Sequence, residues 1–467
     1  MAKLGGFKLF EAWSDTTQGY RSDKQPGESR LRTSYTCRVP SQARTWVGPL
    51  ALAAAFLLPI LATVALYLPG GLLMPARLVT LLLAGIAVAQ FLFRREPPPR
   101  GVGVAVGTVC CVFVVCGIVG AIRFPGASSV EVATVFFLLL GLAASLVLSE
   151  RLRFVGALIA GWEVSAALAA VVAIWEVVTA RHLPLSVGTR SFEGVEGWNE
   201  ITSFFDNPNL YAYHCVVALL LLPMAWGLLG SSRWRWVLPV QGLLLTGLLL
   251  RSHGQMAFMA FVLGAAWWCA RSRWGRVALL GGLVTVAGTM ALRLPPGWNL
   301  YRFVEVALDG LRWEDKSAYI RAHLVQSGWW ISERTGFLGA GPGGFERMAL
   351  DEANPHRSTG FSNAHWGMIE VLVNYGAPTL VALLAALAAG VVWAARSARR
   401  LRIGGDSAGA AVIFGAGVLA LTLPVVSMSH STWLVQPLTS VHLMILVAAF
   451  AVGGRRLGKL EESGSND

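Results

Sequence analysis

Runs of roughly twenty apolar residues, each long enough to cross a hydrocarbon core, follow one another along most of this chain. They predict helices at about 46–68, 72–93, 101–122, 130–149, 154–180, 209–229, 235–250, 254–270, 275–292, 366–395, 409–427 and 433–452. The pattern is that of an all-α, polytopic membrane protein of about twelve spans with one large, mostly helical external loop. The first run lies behind too much polar chain to be a cleavable signal peptide.

Polar stretches interrupt this pattern at three places. Residues 1–45 mix Gly, Ser, Lys, Arg and Asp with no apolar period and read as a disordered tail, and 454–467 form a second, shorter tail. Residues 293–364, between spans one to nine (46–292) and spans ten to twelve (365–453), are polar but patterned. Leu300, Phe303, Val304, Leu308 and Leu311 recur at helical spacing within Trp298–Trp313. Ile320, Leu324 and Ile331 do the same within Lys316–Arg334. Two amphipathic helices are therefore expected, followed by a glycine-rich turn over Thr335–Gly344 and a short helix over Phe345–Ala353. Trp298, Trp313, Trp329 and Trp330 suit a folded loop packed on the bundle, with rings at headgroup level.

Composition agrees with this picture. Hydrophobic residues make up 55% and charged residues 14%, against about 25% charged in soluble domains, and mean hydropathy is +0.58. The net charge of +12 is distributed by side. With a cytoplasmic N-terminus, that face collects the basic tail and the clusters Arg94/Arg95/Arg100, Arg151/Arg153, Arg233/Arg235, Arg271/Arg273/Arg276, Arg396/Arg399/Arg400/Arg402 and Arg455/Arg456/Lys459. The remaining thirteen, Arg251, Arg321 and Arg357 among them, are spread over a larger loop length, and the short loops between the basic ones are not basic, which is the positive-inside pattern. Both termini are expected to be cytoplasmic, and the charge points to anionic membrane lipid as a neighbour rather than to nucleic acid. Five of the six cysteines lie within expected spans and Cys37 in the tail, so no disulfide framework is expected.

Chemistry is to be sought among polar groups at the external surface. His365 opens the tenth span where the long loop re-enters the membrane, and an imidazole there can take a proton near neutral pH. The plainer alternative is a helix-end histidine bonded to backbone. Arg251 and His253 sit at the junction of spans seven and eight on the same side, and Arg321 sits on the second amphipathic helix. Asn207-Pro208-Asn209 reads as a helix start, with Asn207 as N-cap and Pro208 at the first helical position. Backbone amides in Gly339–Gly344, Gly341 and Gly343 among them, could cradle an anion, although no lysine follows as in a nucleotide-binding loop. Glu163, Glu176 and Glu370 are intramembrane carboxylates that would serve either a proton path or interhelical hydrogen bonds.

The order of these motifs resembles the O-antigen ligase and O-antigen polymerase superfamily of bacterial membrane glycosyltransferases. The resemblance rests on FFDNPNLYAYH opening one helix, Arg321 ahead of WWISERTGFLGAGPGGF, and HWGMIEVLVNYGAP beginning at His365. It covers roughly 205–380 by motif and the remainder by topology. The family's glycine turn matches Leu338–Phe345 with one extra glycine, and its helix start matches His365, Met368 and Gly376. One departure stands out: a Ser-Arg-Gly helix start common in the family reads Arg251-Ser252-His253-Gly254 here.

The resemblance implies transfer of a glycan from an undecaprenyl diphosphate carrier to an acceptor at the external face of the bacterial inner membrane. His365 would be the base, and Arg321 with Arg251 or His253 would hold the diphosphate. Asn207, Asn209, Gly341, Gly343 and Glu370 would be supporting residues. The acceptor would be lipid A core or a second lipid-linked glycan, with a protein hydroxyl ranked behind these two. No cofactor is implied, and no Asp-x-Asp or His/Cys ligand spacing suggests a metal. The rival reading is a transporter or flippase for a lipid-linked sugar, run by the intramembrane carboxylates.

Overall fold

The computed structural model describes residues 43–64, 66–68, 71–94, 98–183, 201–205, 207–252, 254–271, 273, 275–277, 279–281, 284, 316–357, 363–429 and 432–464. Its helices are α1 (Ala43–Leu61), α2 (Pro75–Arg94), α3 (Arg100–Arg123), α4 (Ser129–Leu148), α5 (Leu152–Thr179), α6 (Pro208–Leu229), α7 (Val237–Arg251), α8 (Gln255–Ala270), α9 (Lys316–Arg334), α10 (Gly344–Ala349), α11 (Gly367–Ile403), α12 (Ser407–Val426) and α13 (Pro437–Gly464).

Eight of these, α2 to α6 and α11 to α13, are long and apolar enough to span a membrane. With the shorter α1, α7 and α8, eleven of the expected spans have a helix among the described residues. The expected span at 275–292 and the expected helix at Trp298–Trp313 lie largely or wholly outside them. The chain is an all-α polytopic membrane protein. Mid-helix side chains such as Leu243 (78% exposed) and Val171 (66%) face outward, where lipid rather than water would cover them.

Several expected boundaries move. The first span stops at Leu61 rather than 68, because the chain turns into a small antiparallel hairpin, Leu66–Leu68 against Gly71–Leu73. The tenth continues to Ile403, and the last begins at Pro437 and runs through the expected tail to Gly464. The short loop helix closes at Ala349 rather than Ala353.

Local chemistry explains the starts that hold. Asn207 caps α6, its Oδ1 accepting from the N–H groups of Asn209 (2.8 Å) and Leu210 (3.1 Å), with Pro208 at the first helical position. Asp406 caps α12 through the Gly409 N–H. The bundle core is continuous, with α11 against α12 and α3, α6 against α12, and α1 against α5. A second apolar cluster joins the loop to the bundle: Leu324 and Ile331 of α9 and Phe345 of α10 bury against Ile369, Leu372 and Val373 of α11. The amphipathic stripe of α9 thus fixes the loop on the first turns of α11. Trp329, 53% exposed, remains outside this cluster with its indole N–H on Glu333.

Candidate functional site

The mouth of α11 is held from several sides. The Gly367 N–H donates to Ser427 O at the end of α12 (3.0 Å), and the Trp366 indole N–H donates to Pro424 O (3.1 Å). Gly367 lies flat on Trp433, where a Cβ would sit 2.6 Å from the ring. Glu370 accepts the Leu434 N–H on Oε2 (3.2 Å) and so ties α11 to the segment entering α13. His365, just outside this clamp, adopts a left-handed backbone with φ 50°. A non-glycine residue in that region is uncommon, and such residues gather at functional sites.

α9 brings Arg321 to this mouth. Burial, and then the positive field of the Arg321 guanidinium, hold the His365 imidazole down to about 4 from its ordinary value. At neutral pH the pair is therefore one cation beside one neutral ring. The two residues, 44 positions apart in the numbering, come within electrostatic reach of each other because α9 packs on α11.

The glycine-rich turn is a structural joint. The Ala340 and Gly341 N–H groups donate to Val373 O (2.7 Å) and Asn374 O (3.0 Å) of α11. The Gly343 N–H donates to a carboxylate oxygen of Glu131 (2.6 Å), the Gly344 N–H to Gly341 O (2.9 Å) and the Phe345 N–H to Asn374 Oδ1 (2.9 Å). These amides have intramolecular acceptors, so the anion-cradle expectation for Gly341 and Gly343 is corrected. The glycines are needed for close approach instead. A Cβ on Gly339 would lie 2.8 Å from Asn374 O, and Gly120 of α3 abuts the Gly341 N–H.

Glu131 was not among the expected site residues. Buried in the first turn of α4, it also accepts the Asn374 side-chain amide (3.0 and 3.2 Å) and the Tyr375 hydroxyl (2.7 Å). Ser128-x-x-Glu131 has the form of a capping box, a signal that would have flagged the residue but given its carboxylate a local role. Arg347 completes the joint by donating to Ala340 O (2.8 Å) and to Gly126 O, and Arg123 donates to Thr335 O (3.0 Å).

The remaining expected residues divide. Arg251 is the exposed last residue of α7, at the end of the bundle shared by Asn207, because Gly254 just beyond it packs on Ala212 of α6. His253 lies outside the described residues. Asn207 is occupied in capping, and Asn209 is half-buried on the first turn of α6. Glu176 accepts from the Thr202 and Ser203 N–H groups (3.0 and 2.7 Å) and pairs with His182 Nδ1 (2.9 Å). Glu163 accepts from Gln241 (2.8 Å).

A further polar group inside the bundle was also missed. His214 meets the Ser165 hydroxyl (3.2 Å) and His442 Nδ1 meets the Tyr213 hydroxyl (2.9 Å), with the Trp162 ring 5.1 Å and 6.4 Å from the two imidazoles. Both histidines are fully buried among apolar side chains. No protein-family model matches this chain, and no curated protein matches it either.

Proposed function

We propose that the chain transfers a glycan from an undecaprenyl diphosphate carrier to an acceptor hydroxyl at the membrane face where its loop lies. The single observation that carries this reading is the pairing of Arg321 with a neutral His365 at the mouth of α11. It acts together with the motif order that resembles O-antigen ligases and polymerases.

Each partner suits one half of such a reaction. The acceptor oxygen attacks the anomeric carbon as the bond from that carbon to the diphosphate oxygen breaks. The hydroxyl proton passes to His365 and the carrier diphosphate departs with the electron pair. Arginine offers a permanent, forked contact to phosphate oxygens, and in a displacement of this kind stabilising the departing charge contributes most to lowering the barrier. A histidine held near 4 is unprotonated and ready, although weakly driven. Docking the diphosphate on Arg321 cancels the guanidinium field and adds negative charge, so the proton affinity of His365 rises as the donor arrives. Inversion at the anomeric carbon would follow from a single displacement.

The orientation that suits this reading has both termini in the cytoplasm and the loop outside the inner membrane, as the basic clusters suggest. The transporter reading is less well supported. Glu176 and Glu370 accept backbone amides that fix the loop after α5 and the segment before α13, so their carboxyl oxygens are used in holding structure. The test is to supply purified protein, without any gradient, with a lipid diphosphate glycan and either lipid A core or a second lipid-linked glycan. Release of carrier diphosphate coupled to a lengthened acceptor supports the proposal, and the productive acceptor separates ligase from polymerase. Protein that binds donor but never releases carrier diphosphate with either acceptor would sink it.

A further inference from the structure

At the end of the bundle away from His365, α6, α7, α8 and α12 diverge around a cavity of about 480 Å³. Its walls are Leu222, Trp226, Leu238 and Trp268, and Arg271 and Arg402 stand at its rim. The placement follows from chain direction. Trp226 lies in the last turn of α6, Arg271 follows α8, Arg402 closes α11 and Ser407 opens α12. His365 precedes α11 at its other end. The volume falls within the range of about 300–1,000 Å³ typical of small-molecule sites.

Two kinds of polar group converge on this apolar space. Arg271 is held over the Phe414 ring (4.7 Å to the centroid) and reaches the Trp268 ring (5.9 Å). The Trp268 indole N–H, without solvent access, has no acceptor among the described residues. A neighbouring cation, Arg235, sits between Trp226 and Trp236 at 5.3 and 5.2 Å, and its buried Nε likewise has no acceptor among the described residues. Buried donors without partners are uncommon, and a bound anion would satisfy both.

We propose that this cavity binds an anionic glycerophospholipid, with its phosphate at Arg271, Arg402 and the Trp268 N–H and the upper part of an acyl chain along Leu222 and Leu238. Charge complementarity selects this occupant. Basic pockets between membrane helices suit anionic headgroups, and this end carries the basic clusters that the positive-inside pattern would place at the cytoplasmic leaflet, where anionic lipid is attracted. Tails contribute little to the choice, because lipid chains are as apolar as the leucines they touch. Selectivity therefore resides in the headgroup. This site is independent of the glycan-transfer reading.

The experiment is lipid titration of the full-length detergent-purified protein, with bound lipid read by native mass spectrometry and by the shift in Tm. Phosphatidylglycerol and phosphatidylcholine of identical acyl chains are compared. Phosphatidylglycerol should bind saturably and raise Tm, and phosphatidylcholine should do neither. Arg271→Gln and Arg402→Gln should each weaken binding about fivefold and the double change about thirtyfold. The doubly lysine-substituted protein should retain most of it, and serves as the test if the glutamine variants do not fold. Equal retention of the two lipids, or unaltered phosphatidylglycerol binding by the double glutamine variant, overturns the proposal. So does displacement of the lipid by inorganic phosphate at equal concentration, which would make the site one for a soluble anion.

Discussion

Glu131 and Asn374 lie on different helices, and the carboxylate of the first receives the side-chain amide of the second at 3.0 Å. Asn374 simultaneously accepts the Phe345 N–H on Oδ1 at 2.9 Å and Glu131 accepts the Gly343 N–H, so one buried pair links α4, α11, the glycine turn and the start of α10. The position of Arg321 relative to His365 depends on this joint, because α9 is anchored to the bundle through the same turn. Replacing Glu131 by Ala should strand three buried donors: the Gly343 N–H, the Asn374 amide and the Tyr375 hydroxyl. Each costs about 1–3 kcal/mol when left unpaired, so a loss of about 3 kcal/mol or more is expected, read as a lowered Tm. Glu131→Gln keeps one acceptor oxygen and should lose less. An alanine variant as stable as wild type would show that the joint does not hold the loop.

Gly376 interrupts α11 with φ 80° and ψ 166°, a region open essentially to glycine alone. A Cβ there would lie 2.7 Å from the Leu338 carbonyl carbon. Gly376→Ala should therefore separate the turn from α11 and reduce both stability and transfer. The expected loss exceeds the roughly 1 kcal/mol span of ordinary glycine-to-alanine changes. A Tm unchanged in this variant would show that the helix break is not required.

What could be read in the sequence was local. The start of α6 at Asn207-Pro208 and the stripe Ile320, Leu324, Ile331 both follow from neighbours within a turn or two. The glycine turn was also legible as a break, but its role was not. The acceptors of its amides, Val373, Asn374 and Glu131, come from segments near in space and distant in sequence. Glu131 escaped notice for the same reason, because its capping-box spacing points to a local bond that its carboxylate does not make. His214 and His442 stand in apolar runs whose periodicity gives helices and says nothing of which faces meet. The pairing of Arg321 with His365 needed the packing of α9 on α11, which spacing alone does not provide.

His365→Ala should remove the proton acceptor and cost about 10²–10⁴ in transfer rate, the usual range for general base catalysis. His365 stands outside the Gly367–Trp433 contact that clamps the helix mouth, so Tm should change little. Transfer near the wild-type rate would remove the base assignment.

The pH dependence carries a sign. With His365 held to about 4 in the free protein, kcat/KM should stay level as pH falls and decline only near that value. The kcat limb should lie at higher pH, because bound diphosphate raises the imidazole's proton affinity. Arg321→Ala removes a positive neighbour, so the kcat/KM limb should also move up toward the ordinary histidine value. Arg321→Lys keeps the charge and leaves that limb nearly in place, but loses the guanidinium fork and should lower kcat/KM about tenfold. An acid limb that ignores both substitutions would mean that the two residues do not act together.

A second cation for the diphosphate would come from Arg251 or His253. Two residues apart on a continuous helix, they would point about 200° apart. The structure ends α7 at Arg251, with Ser252 capping it and Gly254 already outside helical geometry at ψ 75°, so that constraint lapses. Arg251 is exposed at the end of α7. Its charge is also permanent, whereas a histidine near its reference value of about 6.5 is mostly neutral at working pH. Arg251→Ala should therefore weaken donor binding about tenfold or more at every pH, in keeping with a lost charge-assisted hydrogen bond. His253→Ala should have a mild effect confined to low pH. Donor titration of both variants across pH decides the matter, and the reverse ranking would give the diphosphate contact to His253 and leave Arg251 as an interfacial anchor.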